Sequence, residues 1–84
     1  MAYNVKTIVE RETMKYEMVR DHAINMFEPG TTAREIMELH YSGQPISAIC
    51  KTVEAAEPLV RSTVIYVWKN MKRDAAFWKA VDAI

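Results

Sequence analysis

Residues 46–68 read ISAICKTVEAAEPLVRSTVIYVW, and they contain two helical patterns separated by a short break. In the first pattern, apolar residues recur at positions i, i+3, i+4 and i+7, which is the spacing of one face of a helix. They are Ile46, Ile49, Cys50 and Val53. This predicted helix is shorter than the ~12–15 residues that an isolated helix needs in water. Packing against the rest of the chain must therefore stabilise it.

The second pattern predicts a helix that begins at Glu57 and Pro58, because proline and acidic residues are both favoured in a first turn. Its inner face is predicted to hold Val60, Val64, Val67, Trp68 and Met71. The opposite face carries Arg61, Ser62, Ile65, Tyr66, Lys69, Lys72 and Arg73. The apolar Ile65 and Tyr66 on this otherwise polar side predict a surface that contacts another molecule.

A long N-terminal helix is predicted over residues 7–28. It begins with TIVE, where Thr7 and Glu10 fit a capping box in which each side chain bonds the other residue's backbone amide. It ends before a Pro-Gly pair, which interrupts helices. Its apolar residues spread over a wide arc, so either the rest of the chain or a second copy must cover them.

A further helix is predicted to begin with TARE, where Thr32 is the cap and Glu35 its partner, and to end at Gly43. The last residues, 74–84, are also helical in pattern. Two interpretations remain open: Asp74 caps a new helix, or the preceding helix continues through it.

The fold class predicted is all-α, because no segment shows the alternation of a strand. We expect a small four- to five-helix domain with a tri-helical core at about residues 32–72 that contains a helix-turn-helix, and an added N-terminal helix. The 84 residues are predicted to form a single domain, 1–84. Its parts are the N-terminal helix 7–28, the helix-turn-helix core 32–73 and the C-terminal segment 74–84.

The segments SGQPISAICKTV and VRSTVIYVW resemble the helix-turn-helix of serine recombinases of the resolvase and invertase type. In that family a helix ending in glycine leads to an ISxI(A/S)K helix, a turn and an (R)STV recognition helix. The matching residues are Gly43, Ile46, Ser47, Ala48, Ile49, Lys51, Thr52, Arg61, Ser62, Thr63 and Val64. The resemblance covers about residues 33–70, and the family's catalytic domain has no counterpart. It therefore implies DNA binding of the homeodomain-like kind without recombination.

The spacing within this motif departs from the family. Eight residues, 53–60, separate KT from RSTV, where the family has about four. Four extra residues correspond to about one helical turn. Either the recognition helix starts a turn earlier, at Pro58, or the turn is remodelled. The family's small residue in the turn is also missing, and Glu54 lies in its neighbourhood.

The candidate DNA-binding residues follow from this interpretation. Four would lie along the exposed face of the recognition helix: Arg61, Ser62, Tyr66 and Lys69. Arginine and serine side chains can contact base edges or phosphates. Three more are expected to contact phosphate: Lys72, Arg73 and Lys51. The alternative is that these residues form an ordinary solvated face.

The charge distribution favours double-stranded DNA as the partner, although the formal net charge is zero. Residues 58–80 contain five Lys and Arg residues against one acid, Asp74. Specific sites usually need two modules, and the N-terminal helix is the expected homodimer contact. The resulting expectation is a transcriptional regulator or DNA-architectural accessory factor of bacterial or phage type. A helical adaptor or inhibitor that binds a protein is the alternative, which zero net charge and six methionines favour.

No pattern for catalysis, cofactor binding or metal binding is found in the sequence. Cys50 is expected to act as a small apolar residue, and His22 and His40 lack metal-ligand spacing. A single cysteine allows no intrachain disulfide, which favours a cytoplasmic location. The first residues lack the features of a secretory signal, and no run reaches the ~20 apolar residues that cross a bilayer. We therefore expect no enzyme, no cofactor and no membrane contact.

Overall fold

The computed structural model describes residues 5–84, and this part of the chain forms five helices and no strand. In chain order they are α1 (Val5–Ile24), α2 (Thr32–Tyr41), α3 (Ile46–Val53), α4 (Glu57–Lys72) and α5 (Ala75–Asp82). The all-α prediction is therefore confirmed. Met1 to Asn4 lie outside the described residues.

The predicted bounds of the first helix are wrong at both ends. Helix α1 begins at Val5, so Thr7 lies inside its first turn and does not cap it. The reason is that Val5 continues the apolar stripe of Ile8 upstream at helical spacing. The helix ends at Ile24, and the chain then turns through residues 25–31, where Gly30 has a φ of +85°.

The cap of α2 lies one residue before the predicted one. The Thr31 Oγ1 accepts a hydrogen bond from the backbone amide of Arg34, at 3.3 Å, so Thr31 and not Thr32 is the cap. Glu35 is consequently out of register for a capping box, which needs the acid three residues after the cap. The predicted end is confirmed, since α2 stops at Tyr41 and Gly43 follows with a φ of +91°.

The C-terminal segment is a separate helix. The Asp74 Oδ1 accepts a hydrogen bond from the Phe77 amide at 3.0 Å and caps α5. The indole Nε1 of Trp78 donates to the Met71 carbonyl at 2.7 Å, which fixes α5 against the end of α4. On the other side, the rings of His22 and Phe77 stack with centroids 4.1 Å apart and join α5 to α1.

Helices α2, α3 and α4 pack on one another, and the C-terminal part of α1 packs on the same centre. The fully buried core residues come from all four of these helices: Ala23, Ile36, Met37, Ile49, Val60, Val67 and Met71. This core is what stabilises the short α3, whose eight residues would not form a helix alone. The predicted tri-helical centre is therefore present.

The N-terminal half of α1 extends the molecule to 52 × 25 × 20 Å. Three residues of its apolar stripe remain open to solvent: Val5 is 72%, Ile8 44% and Val9 56% exposed. Near the middle of the helix, the Tyr16 hydroxyl donates to the Tyr41 carbonyl at 2.8 Å and ties α1 to α2. Burial, and to a lesser extent the neighbouring Tyr16, raises the pKa of Tyr41.

The turn between α3 and α4 spans residues 54–56. Glu54 ends α3 in the left-handed conformation, with φ 55° and ψ 45°, and the Ala55 amide donates to the Cys50 carbonyl at 3.1 Å. Helix α4 begins at Glu57, so the four extra residues noted in the sequence form its first turn. Of the two interpretations, the earlier start is the observed one, one residue before Pro58.

Replacing Glu54 with glycine is expected to raise the free energy of unfolding by up to about 1 kcal/mol. Glycine has no Cβ to clash in the left-handed region, whereas glutamate does. For a domain of this size, 1 kcal/mol corresponds to a rise in Tm of roughly 4–8 °C. Thermal unfolding followed by circular dichroism measures it. The matched control is Glu57→Gly, at the first residue of α4, which should lower Tm because glycine is unfavourable in a helix. Equal effects at both positions would contradict the conformational explanation.

Candidate nucleic-acid interface

The outer side of α4 carries most of the candidate residues together. Those on this helix and directly after it are all exposed: Arg61, Ser62, Tyr66, Lys69, Lys72 and Arg73. The opposite side of α4 is fixed in the core by Val60, Val67 and Met71, which are fully buried. Because a helix with one buried side must present the other side outward, the outer face is set by the core packing.

Lys51 does not belong to this face. It is exposed in the last turn of α3, on a different helix from the other candidates. Two threonines near the candidates use their hydroxyl protons within their own helices, since Thr52 donates to the Ala48 carbonyl and Thr63 to the Leu59 carbonyl. Thr63 is also half-buried, so its hydroxyl is poorly placed to contact phosphate.

The one acidic side chain within α4 is Glu57, and it pairs with Arg61 at 2.7 Å. Both side chains are more than half exposed, and exposed pairs at i, i+4 contribute only ~0.3–0.5 kcal/mol. Within residues 5–84, no carboxylate lies at ion-pair distance from Lys69, Lys72 or Arg73. The C-terminal half of the outer face is therefore positively charged without internal compensation.

Tyr66 lies at one edge of the outer face and remains 56% exposed. Its ring lies beside that of Phe27, with centroids 6.3 Å apart. Phe27, Ala33, Ser62, Thr63 and Tyr66 line a shallow depression at this edge of α4. The N-terminal part of the chain thus borders the outer face and leaves it open.

Trp68 is not on the buried side of α4, where the sequence placed it. It is 43% exposed and lines an open groove with Ile65, Lys69, Lys72 and Trp78. The reason is that Trp68 follows the fully buried Val67 at about 100° around the helix, so it falls at the edge of the apolar stripe. Val64, on the same edge, is half-buried. Helical spacing predicted which residues form the apolar stripe of α4, but not which of them the neighbouring helices cover.

The fold does not group the described histidine, cysteine and acidic side chains into a metal site. Within residues 5–84, no three His, Cys, Asp or Glu side chains are grouped so that they could hold a metal ion. Cys50 is half-buried on α3, and His22 takes part in the stack on Phe77. None of the described helices is both long enough and apolar enough to cross a membrane.

Comparison with known proteins returns nothing. No family model, no curated protein and no solved structure matches this chain. The resemblance to the recombinase helix-turn-helix therefore remains a prediction from residues 33–70, and the geometry of α4 is the basis for assigning a function.

Proposed function

We propose that this protein binds double-stranded DNA, with α4 in the major groove as a recognition helix and α2 and α3 supporting it. One observation carries the proposal: the candidate residues of α4 share an exposed face while the other side of the same helix forms the core. Two helices joined by a three-residue turn are the usual frame for such a helix. In a cytoplasmic setting the protein would act as a transcriptional regulator or a DNA-architectural accessory factor.

Position along α4 suggests the role of each residue. N-terminal residues of a recognition helix contact base edges, so Arg61 and Ser62 are assigned to bases. Lys69, Lys72 and Arg73 lie toward the other end and are assigned to phosphates, which position the helix without reading sequence. Lys51, on α3, is assigned to phosphate contact on the DNA strand beside the groove.

The test is binding of a fluorescein-labelled, mixed-sequence duplex, followed by anisotropy at several salt concentrations. Phosphate contacts release counterions, so affinity should fall steeply between about 50 and 200 mM salt. With three to four phosphate contacts, the slope of log K against log salt should be near −3. A duplex that does not bind at about 50 mM salt would remove DNA as the partner and leave the helical adaptor, which the exposed Ile65 and Trp68 also favour.

We further propose that two copies associate through α1. The apolar stripe of α1 runs from Val5 to Ala23 with Glu12 interrupting it, and the fold buries only its C-terminal end. Val5, Ile8 and Val9 stay exposed, and two such stripes can cover each other. A dimer would place two α4 helices on one duplex, as specific recognition usually requires.

Substituting Ile8→Ser and Val9→Ser together is expected to shift the chain to monomer at concentrations where the unmodified protein is dimeric. Sedimentation velocity measures the change. The matched control is Met14→Ser, because Met14 is also exposed but lies on the opposite side of α1, two and a half turns from Val5 at about 100° per residue. An unmodified chain that sediments as a monomer at high micromolar concentration would overturn the dimer.

A further inference from the structure

An apolar groove runs along the boundary between α4 and α5. Its floor is formed by Ile65, Trp68 and Trp78, and Lys69 and Lys72 form its rim. Both tryptophans of the chain line this groove. Ile65 is 52% and Trp68 43% exposed, so two large apolar side chains lie open within one helical turn of each other. Clustered exposed apolar side chains with polar margins mark contact surfaces.

We propose that this groove binds an acidic amphipathic helix of a partner protein, and that this binding excludes DNA. The competition rests on the DNA-binding function proposed above; the docking itself does not. The partner would therefore regulate the same α4 surface that contacts the duplex.

The floor and the rim of the groove define the occupant. An apolar floor is filled by apolar side chains at i, i+3, i+4 and i+7 of a helix laid along it. The rim offers two ammonium groups, and within residues 5–84 no carboxylate pairs with either Lys69 or Lys72. Glutamate or aspartate beside the apolar stripe of the partner would meet these charges. DNA phosphates would satisfy the rim but leave the floor uncovered.

A second copy of α1 is a poorer occupant than an acidic helix. Residues 5–17 of α1 carry three basic residues, Lys6, Arg11 and Lys15, against three acids, Glu10, Glu12 and Glu17. These charges cancel, so α1 has no net attraction to a lysine rim. The two lysines of the rim therefore favour an acidic partner helix over a second copy of α1.

The groove and the DNA face share residues, which is why occupancy of one excludes the other. Ile65, Lys69 and Lys72 line the groove and also lie on the outer side of α4. A helix laid over them covers the C-terminal half of that side. It also neutralises the two lysines assigned to phosphate.

The test uses the intact protein and a synthetic helical peptide with leucines at i, i+3, i+4 and i+7 flanked by glutamates. Because both tryptophans line the groove, binding should shift their emission to shorter wavelength in a saturable way. A peptide with lysines in place of the glutamates is the charge control and should bind at least about tenfold more weakly. Equal binding of the two peptides, or no shift with either, would overturn the docking proposal.

Two variants locate the site on the protein. Ile65→Ser should weaken peptide binding by about tenfold or more, since it removes a large apolar side chain from the floor. Leu59→Ser is the matched control, because Leu59 is 55% exposed on the same helix but lies outside the groove, and it should leave binding unchanged. A larger emission shift with phosphatidylserine vesicles than with the peptide would overturn the protein partner in favour of a lipid surface.

Competition is measured separately, by adding the glutamate peptide to the labelled duplex complex. Release of the duplex at peptide concentrations that saturate the tryptophan shift supports the exclusion. Simultaneous binding of peptide and duplex would overturn it. Since the fluorescence titration contains no DNA, a protein that binds the peptide but no duplex refutes the DNA-binding function and leaves the docking site intact.

Discussion

Replacing Arg61 and Lys69 together with alanine is expected to lower affinity for duplex DNA by about 30-fold or more at about 50 mM salt. Arg61 contributes roughly 1–3 kcal/mol if it contacts a base, and a hydrogen bond from Lys69 to a charged phosphate contributes about 1.5 kcal/mol or more. Two contacts therefore amount to at least about 2 kcal/mol, which corresponds to ~30-fold. The salt slope should also decrease by about 0.9 for Lys69, a phosphate contact. Anisotropy or a gel shift at low and moderate salt measures both effects.

The control for this prediction removes the same charge elsewhere. Arg11→Ala with Lys15→Ala also deletes two positive charges, but both residues lie on α1, away from the α4 face. This variant should bind the duplex within about twofold of the unmodified protein. If both double variants lose affinity equally, attraction is a property of the total charge and α4 is not the interface. If neither loses affinity, the recognition face is assigned wrongly.

Ile49→Ala is expected to lower the free energy of unfolding by about 2–5 kcal/mol. Ile49 is fully buried where α2, α3 and α4 meet, so truncation leaves a cavity that the rigid surroundings fill only in part. Helix α3 has eight residues and depends on this contact to remain helical. Native proteins have a total free energy of unfolding of only about 5–15 kcal/mol, so this loss is a large fraction of the total. Urea unfolding followed by circular dichroism measures the loss.

The matched control makes the same change of side chain at an exposed isoleucine, so that only the loss of core packing differs between the two variants. Ile65→Ala, on the outer side of α4, should change the free energy of unfolding by less than about 0.5 kcal/mol. A loss at position 65 comparable to that at position 49 would mean that the groove is covered in solution, for example by a second copy. The two isoleucines thus report on whether the outer face is open.

Local signals in the sequence determined most of the helix ends toward the C-terminus. Gly43 follows the end of α2 and Glu57 begins α4, as the sequence predicted, whereas Asp74 was only one of two interpretations of the C-terminal segment. These ends are set by short-range chemistry, such as a side chain that accepts from an amide three residues away. Where two adjacent residues offered the same chemistry, as Thr31 and Thr32 do, the sequence could not choose between them. The start of α1 was missed because a strong capping pattern happens to lie inside a helix.

The choice between one and two C-terminal helices needed tertiary contacts. Trp78 keeps the apolar spacing of α4, so its pattern alone also fits a continuous helix. In the structure its indole donates to the Met71 carbonyl, and the ring of Phe77 stacks on His22 of α1. Both contacts join residues that are distant along the chain or on different helices. They favour a bend at Asp74 over a straight continuation.

The sequence by itself determined the all-α class, the tri-helical centre and the side of α4 that faces outward, because apolar spacing fixes which side of a helix must be buried. Only the tertiary structure decided how wide that buried side is. Trp68 and Val64 lie at its edge, and their exposure depends on how far the neighbouring helices cover that edge. The groove over Ile65 and Trp68 exists for that reason: spacing along one helix carries no information about how far its neighbours reach.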